Sequence, residues 1–235
     1  MTTATGFKNR AVSFLENAFT HKGNVLAIRA WTPATFYEVD VHLPDEKAMN
    51  SWHKAQHIKV KVGPFTFRDY TPAGWDAATR TCTLYIDAAH DGPGAAWVKN
   101  LQPGEVITYL GVAPTFHALL PGAQAVFLGD QSALGHFLAL MQVAGKQAAI
   151  KGAIVLPEKA HRSQYEEYIV QLPLHPLSVR RTLADSMVPW IKDQLFPEES
   201  IFYLVGNAAL VTSTRTLLKQ KGINPKQIKA QGFWH

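Results

Sequence analysis

The chain has one cysteine, Cys82, inside the strand-like run RTCTLYID. One thiol cannot close an intrachain disulfide, and zinc fingers and iron–sulfur clusters need several. Cys82 is therefore read as a small core residue, and redox chemistry in this chain would rest on a bound organic cofactor. Long apolar runs are also missing. The longest, AVFLGDQSALGHFLALMQVAG from Ala125, is broken by Asp130, Gln131 and His136 and by two internal glycines. That pattern argues against a membrane span and for a strand, a turn and a helix. The first residues, MTTATGFKNR, contain no apolar segment of the secretory type, so a cytoplasmic protein is expected. Repeats and low-complexity segments are absent.

Charge is sparse. Asp, Glu, Lys and Arg make up 17% of the residues, against 47% hydrophobic, which describes a folded chain with a substantial core. The balance is nevertheless positive, with a formal net charge of +5 and ten further histidines. Such a field favours anionic partners. No run of five basic residues occurs, so nothing supports nucleic-acid binding.

What the chain has instead is two contrasting periodicities. Residues 10–20 carry Val12, Leu15, Ala18 and Phe19 at helical spacing. From Asn24 to about Gly111 short β-like runs follow one another: NVLAIRAW, TFYEVDVHLP, HIKVKVGP, FTFRDYTP, TCTLYID and GEVITYLG, with Pro, Gly or Asp at the joins. In HIKVKV, Ile58, Val60 and Val62 share one face and Lys59 and Lys61 the other. These runs, with one helix near residues 94–102, predict a small antiparallel barrel or sandwich. After Pro121–Gly122 the pattern becomes strand–helix alternation. AVFLGD, AAIKGAIVL, YEEYIVQLP, IFYLVGN and QIKAQGFWH are the expected strands. SALGHFLALMQVAGK, TLADSMVPWIKDQL and AALVTSTRTLLKQKG are the expected helices. Such alternation means β–α–β units and a Rossmann-like parallel sheet. The expected division is residues 1–120 and 121–235.

Two segments point to a binding groove. In FTFRDYTP, Arg68 and Tyr70 lie two apart, so a strand would project both from one face, with Thr71 and Pro72 following. Arg68 can offer a bidentate fork to a diphosphate, Tyr70 can pack on a flat heterocycle, and Thr71 can hydrogen-bond a ring nitrogen. Such a strand end also suits plain surface. The second segment, DAAHDGPGAAW, follows a strand and opens a helix. It lacks the third glycine and the distant acid of a dinucleotide fingerprint. Free N–H groups at Gly94, Ala95 and Ala96, beside the positive end of a helix dipole, would still suit a phosphate.

Together RDYTPAGWD, LYIDAAHDGPGAAW and LGDQSALGHFLAL, in this order and spacing, resemble the siderophore-interacting proteins. The resemblance implies a ferredoxin-reductase-like fold, with an FAD-binding barrel in residues 1–120 and an NAD(P)H-binding α/β half in residues 121–235. It implies an FAD-dependent enzyme that passes electrons from NAD(P)H to ferric iron in a siderophore. Arg68 would contact the FAD diphosphate, with Tyr70 and Thr71 at the flavin and ribitol. Asp87, His90, Gly94, Ala95, Ala96 and Trp97 would hold the phosphate and adenosine side. Gly129, Asp130 and Ser132, with Gly206 and Asn207, would meet the nicotinamide nucleotide. No side chain is expected to act as acid or base, since the cofactor carries the chemistry.

The chain also departs from the family pattern. Ala73 stands where many relatives have arginine, Gln131 replaces a usual Glu, and Asn207 replaces another. Lys219, Lys221, Lys226 and Lys229 are the expected contacts for the anionic chelate; on the residues alone a solvated helix end and loop is the better reading. The same architecture serves flavin reductases and electron-transfer flavoproteins, and a non-catalytic flavin binder would share it. A monomer is expected, without a built-in metal. His53 and His57 are four apart but lack a metalloprotease pattern, and His117, His136 and His175 stand apart in sequence and are expected to be structural.

Overall fold

The computed structural model describes residues 20–44, 54–120, 122–145 and 149–234. Most of the expected helix at residues 10–20 lies outside these, as does His53. Among the described residues the first half is antiparallel: β1 (His21–Trp31), β2 (Phe36–His42), β3 (Gln56–Gly63), β4 (Thr66–Tyr70), β5 (Pro72–Asp76), β6 (Thr81–Asp87) and β7 (Val106–Pro114) form one seven-stranded sheet, with the helix α1 (Pro93–Asn100) between β6 and β7. The strand order is β4-β3-β7-β1-β2-β6-β5.

The two edge strands, β4 and β5, are neighbours in the chain, joined by Thr71 alone. A sheet whose opposite edges are linked by one residue must curl until those edges meet, which makes it a barrel. FTFRDYTP lies across this seam. Pro72 does not end the extended structure, as its missing N–H suggests; it opens β5, an edge strand, where a lost ladder bond is tolerated. The short PAGWD strand is the one the periodicity does not reveal.

Alternation fills the barrel as expected. Ile58 and Val60 are fully buried and Val62 nearly so, while Lys59 points outward to Asp69 at 2.7 Å. Cys82 is buried in the same core, and burial pushes its thiol pKa upward, so it is held as an inert thiol.

The second half holds a parallel sheet of β8 (Ala125–Asp130), β9 (Ile150–Val155), β10 (His175–Leu177), β11 (Ile201–Asn207) and β12 (Ile228–Trp234), in the order β10-β9-β8-β11-β12. Four helices accompany it: α2 (Leu134–Ala144), α3 (Lys159–Tyr168), α4 (Leu183–Asp193) and α5 (Ala208–Gln220). The expected strand at YEEYIVQLP is instead the end of α3 and the turn after it. Tyr165 points inward there, its hydroxyl donating to the Leu172 carbonyl at 2.5 Å, and the sheet position is taken by His175–Leu177. Two tyrosines and an isoleucine mimic a strand, but their burial follows a helical face.

Strand order reverses between β8 and β11, so the crevice beyond their carboxyl ends is a topological switch point. The helix α2 carries this crevice to the barrel. It is apolar on nearly all sides, as a helix between two layers must be. Its Gln142 side chain donates to the Trp75 carbonyl at 2.7 Å and accepts from the Trp75 N–H at 3.0 Å, pairing the open edge of β5 like one more strand residue.

Candidate functional site

Where the seam of the barrel faces the carboxyl ends of the parallel sheet, the structure encloses a cavity of about 350 Å³. The barrel contributes Arg68, Tyr70, Thr71 and the loop from Asp87 to Ala95; the α/β half contributes Ser132, Gly135, His136, Phe233 and Trp234.

Arg68 and Tyr70 pair with Val60 and Ile58 across the β3–β4 ladder. Directly opposed residues share a face, so both side chains project inward with those core residues, toward α1. Arg68 remains exposed at the barrel mouth. Its Nη1 donates to the Phe67 carbonyl at 2.8 Å, and none of the ion pairs among the described residues includes it. The neighbouring carboxylate, Asp69, also reaches the cavity lining and is paired with Lys59 at 2.7 Å. Arg68 is thus a guanidinium with its remaining donors available to an anion. Tyr70 is largely buried, which raises its phenol pKa, and its ring stacks on Trp97 at 6.1 Å.

The start of α1 closes on this pair. A Cβ at Gly94 would stand 2.6 Å from the Tyr70 hydroxyl oxygen, so only glycine fits. Pro93 occupies the first turn and Gly92 provides no side-chain cap, so the N–H groups of Gly94 and Ala95, residues that line the cavity, have no partner within the helix. The Ala96 N–H is not free as the sequence suggests: it donates to the Gly92 carbonyl at 2.9 Å. Ala96 and Trp97 lie behind the lining rather than in it.

From the other side, Asp130 ends β8 as a buried carboxylate. One oxygen accepts from the Ser132 N–H at 3.0 Å and hydroxyl at 2.5 Å; the other accepts from the Asn207 N–H at 2.8 Å. Burial, the largest influence, pushes its pKa up to about 6 despite these donors. Gly206 has φ +118°, and a Cβ there would meet the Asp130 carboxylate at 2.5 Å. Asn207 caps α5, accepting from the Ala209 and Leu210 N–H groups at 3.1 Å. The Trp234 indole donates to Ser132 Oγ at 3.2 Å, and its ring stacks on His90 at 5.1 Å. The last described residue of the chain therefore roofs the cavity between the two halves.

Two departures from the family pattern now have physical reasons. Ala73 is buried in the core shared with α2, where an arginine would have no room. Gln131 is buried too. Its amide nitrogen donates to Asp87 at 2.7 Å, and its oxygen faces His161 Nδ1 at 3.1 Å, while His161 Nε2 faces the Pro33 carbonyl at 3.2 Å. Asp87 also accepts from the Ala89 N–H at 2.9 Å, and burial raises its pKa. A glutamate at 131 would set one carboxylate against another; the amide instead joins the halves.

The histidines are less solitary than their spacing implies. His136 in α2 reaches Thr71 Oγ1 with Nδ1 at 3.3 Å and His117 Nδ1 with Nε2 at 2.8 Å. No sequence signal links residues 71, 117 and 136. His57 lies on β3, not on a helix, and among the described residues no three His, Cys, Asp or Glu side chains could hold a metal ion. The four lysines are not brought to the cavity: Lys219 and Lys221 stand at the end of α5, and Lys226 and Lys229 flank the start of β12, whose other end carries Trp234.

Residues 122–235 match the sequence model of the family described as siderophore-interacting protein. The C-terminal half of the chain is thus similar to that family. No curated protein matches the sequence. Solved structures extend the likeness over both halves. A siderophore-interacting protein from Acinetobacter baumannii is 15% identical, with a TM-score of 0.74 over 92% of this chain and 90% of its own. A siderophore utilization protein from T. fusca is 20% identical, with a TM-score of 0.73 over 92% of each. The flavohem-like FAD/NAD binding domain of a nitric oxide dioxygenase from Vibrio cholerae, 13% identical, reaches 0.72 over 92% of this chain and 99% of that domain. The fold of this chain is thus ferredoxin-reductase-like. None of its described helices is long and apolar enough to cross a membrane.

Proposed function

We propose that the protein binds FAD in the cavity between its halves, takes hydride from NADH or NADPH, and reduces ferric iron held in an anionic siderophore. The observation that carries this reading is the convergence of Arg68, Tyr70, Thr71, Gly94 and Ala95 on one cavity roofed by Trp234. A fork of charged donors beside a free helix start fits a diphosphate, and the cradle at Gly94, closed to any Cβ, fits a backbone that must approach a ligand closely. The residues present therefore fit a dinucleotide with a flat ring.

Arg68 and the start of α1 would hold the phosphates. Tyr70, stiffened by Trp97, would orient the ring, and Thr71 would hydrogen-bond its edge. The crevice at Asp130, Gly206 and Asn207 would receive the nicotinamide nucleotide, with Trp234 and His90 excluding water. Bound flavin would supply the conversion of a two-electron hydride into single electrons. Iron is substrate, and ferrous iron is held less firmly by hard oxygen ligands than ferric. The net charge of +5 draws an anionic chelate from solution; the four lysines, outside the cavity lining, would add to this field. A cytoplasmic site of action accords with a supply of reduced nicotinamide nucleotide.

The purified protein should be yellow and should retain FAD on gel filtration. Anaerobic NADH or NADPH should bleach the flavin absorption, and a ferric siderophore should restore it with release of ferrous iron to a chromogenic chelator. Arg68→Ala should weaken FAD binding about ten- to a hundredfold, since a charged hydrogen bond contributes about 1.5–3 kcal/mol, without lowering stability. A colourless protein that takes up no FAD would overturn the reading; unchanged FAD affinity in the variant would remove Arg68 from the site.

A further inference from the structure

We infer that Thr71, His136 and His117 form a proton relay that leads from the cavity to solvent, with Thr71 as its contact to the bound ring and the two histidines behind it. The inference rests on the flavin reading above and adds a path that the reading alone leaves unspecified. A hydride donor delivers two electrons together with a proton, whereas a ferric chelate accepts electrons alone. One proton per hydride is therefore left in the cavity for the protein to remove.

The geometry gives it one continuous route. Thr71 lines the cavity, and its Oγ1 lies 3.3 Å from His136 Nδ1; His136 Nε2 lies 2.8 Å from His117 Nδ1. His136 meets the cavity wall between the barrel seam and Phe233, and His117 lies beyond it, with 1% and 3% of their surfaces exposed. A neutral imidazole carries one proton, donating at one nitrogen and accepting at the other. The three groups can therefore line up in only two ways.

In one, His117 Nδ1–H donates to His136, His136 Nδ1–H donates to Thr71, and the Thr71 hydroxyl donates into the cavity. In the other, every bond is reversed, so that Thr71 accepts from the cavity. Passing from the second to the first moves one proton outward. Thr71 receives it at Oγ1 and gives its own to His136 Nδ1. His136 passes its Nε2 proton to His117 Nδ1, and His117 releases its Nε2 proton to solvent. No residue ends with a changed charge.

The surroundings keep both rings neutral, as such a chain requires. Burial lowers the pKa of His136 well below the ordinary value, with His117 and His57 adding to it, and burial with the Lys229 ammonium lowers that of His117 to about 4. Tyr203 stands edge-on to His117 at 5.6 Å and fixes its plane.

The test is ring-nitrogen NMR of histidine-labelled protein loaded with FAD. His136 should carry its proton on Nδ1 when the flavin is oxidised and on Nε2 after dithionite reduction; the same tautomer in both states would overturn the relay. His117→Phe keeps the ring packing and should slow reoxidation by ferric chelate about tenfold while leaving reduction by NADH within twofold. Equal effects on both halves, or none, would count against it. Thr71→Val, nearly isosteric, is the second variant and should move the ring-nitrogen resonances of both histidines even without flavin. A colourless wild-type protein defeats the flavin reading, and the relay then stands or falls on this last measurement: a shift confined to His136, or absent, sinks it.

Discussion

The carboxylate of Asp130 accepts the backbone N–H of Asn207 at 2.8 Å, tying the carboxyl end of β8 to that of β11 across the switch point of the parallel sheet. Gly206 makes room for it, and Ser132 links it to Trp234. One buried charge thus holds the crevice floor and, through a hydroxyl, the roof of the cavity.

That charge makes stability depend on pH. The Asp130 pKa rises from 3.8 to about 6 on folding, so the folded state holds its proton more tightly than the unfolded chain. Its contribution is fully present below about pH 4 and is lost as pH rises through 6. The loss should reach about 3 kcal/mol. Asp130→Asn should flatten this part of the profile, read from urea unfolding at pH 4, 5, 6 and 7. A variant profile as steep as the wild type would mean that another group titrates there.

Gly94 gives a cleaner probe of the cofactor cradle than any charged residue. In Gly94→Ala the new methyl group would fall 2.6 Å from the Tyr70 hydroxyl, and either the ring or the helix start must shift. FAD affinity should drop at least tenfold, while the thermal midpoint changes by only a few degrees because Ala favours the helix. Fluorescence titration with FAD and a melting curve are sufficient; full affinity would show that the helix start has slack.

Gln131→Glu tests the buried amide that joins the two halves. The substitution replaces the donor to Asp87 with a second buried carboxylate at the same 2.7 Å. Loss of a charged hydrogen bond with added repulsion should cost about 2–4 kcal/mol near neutral pH. The cost should shrink toward pH 5, where the two carboxyls can share a proton. Denaturation at both pH values measures it, and equal stability would remove Gln131 from the contact between the halves.

Much of this was legible in the chain itself. Period-two alternation in HIKVKV and period-switching after Gly122 define a barrel followed by a parallel α/β half, because burial on one face leaves a mark in every run. The RDYTP and HDGPGAAW segments announce a groove by residue type. PAGWD escaped because a short edge strand carries Pro and Gly and too few alternating residues to register. YEEYIVQLP misled because an amphipathic helix end and a strand share short apolar runs.

What the sequence determined by itself was local: which faces are apolar, where turns fall, and which side chains can bind an anion. Tertiary structure decided what meets what. It set the Gly94 position against Tyr70, took Ala96 out of the donor set, and left the lysines outside the cavity lining. It made Gln131 a bridge and gathered Thr71, His136 and His117 into one chain. Those relations depend on distances between residues far apart in sequence, fixed by the barrel seam and by α2 packed between the two sheets, and no local pattern encodes them.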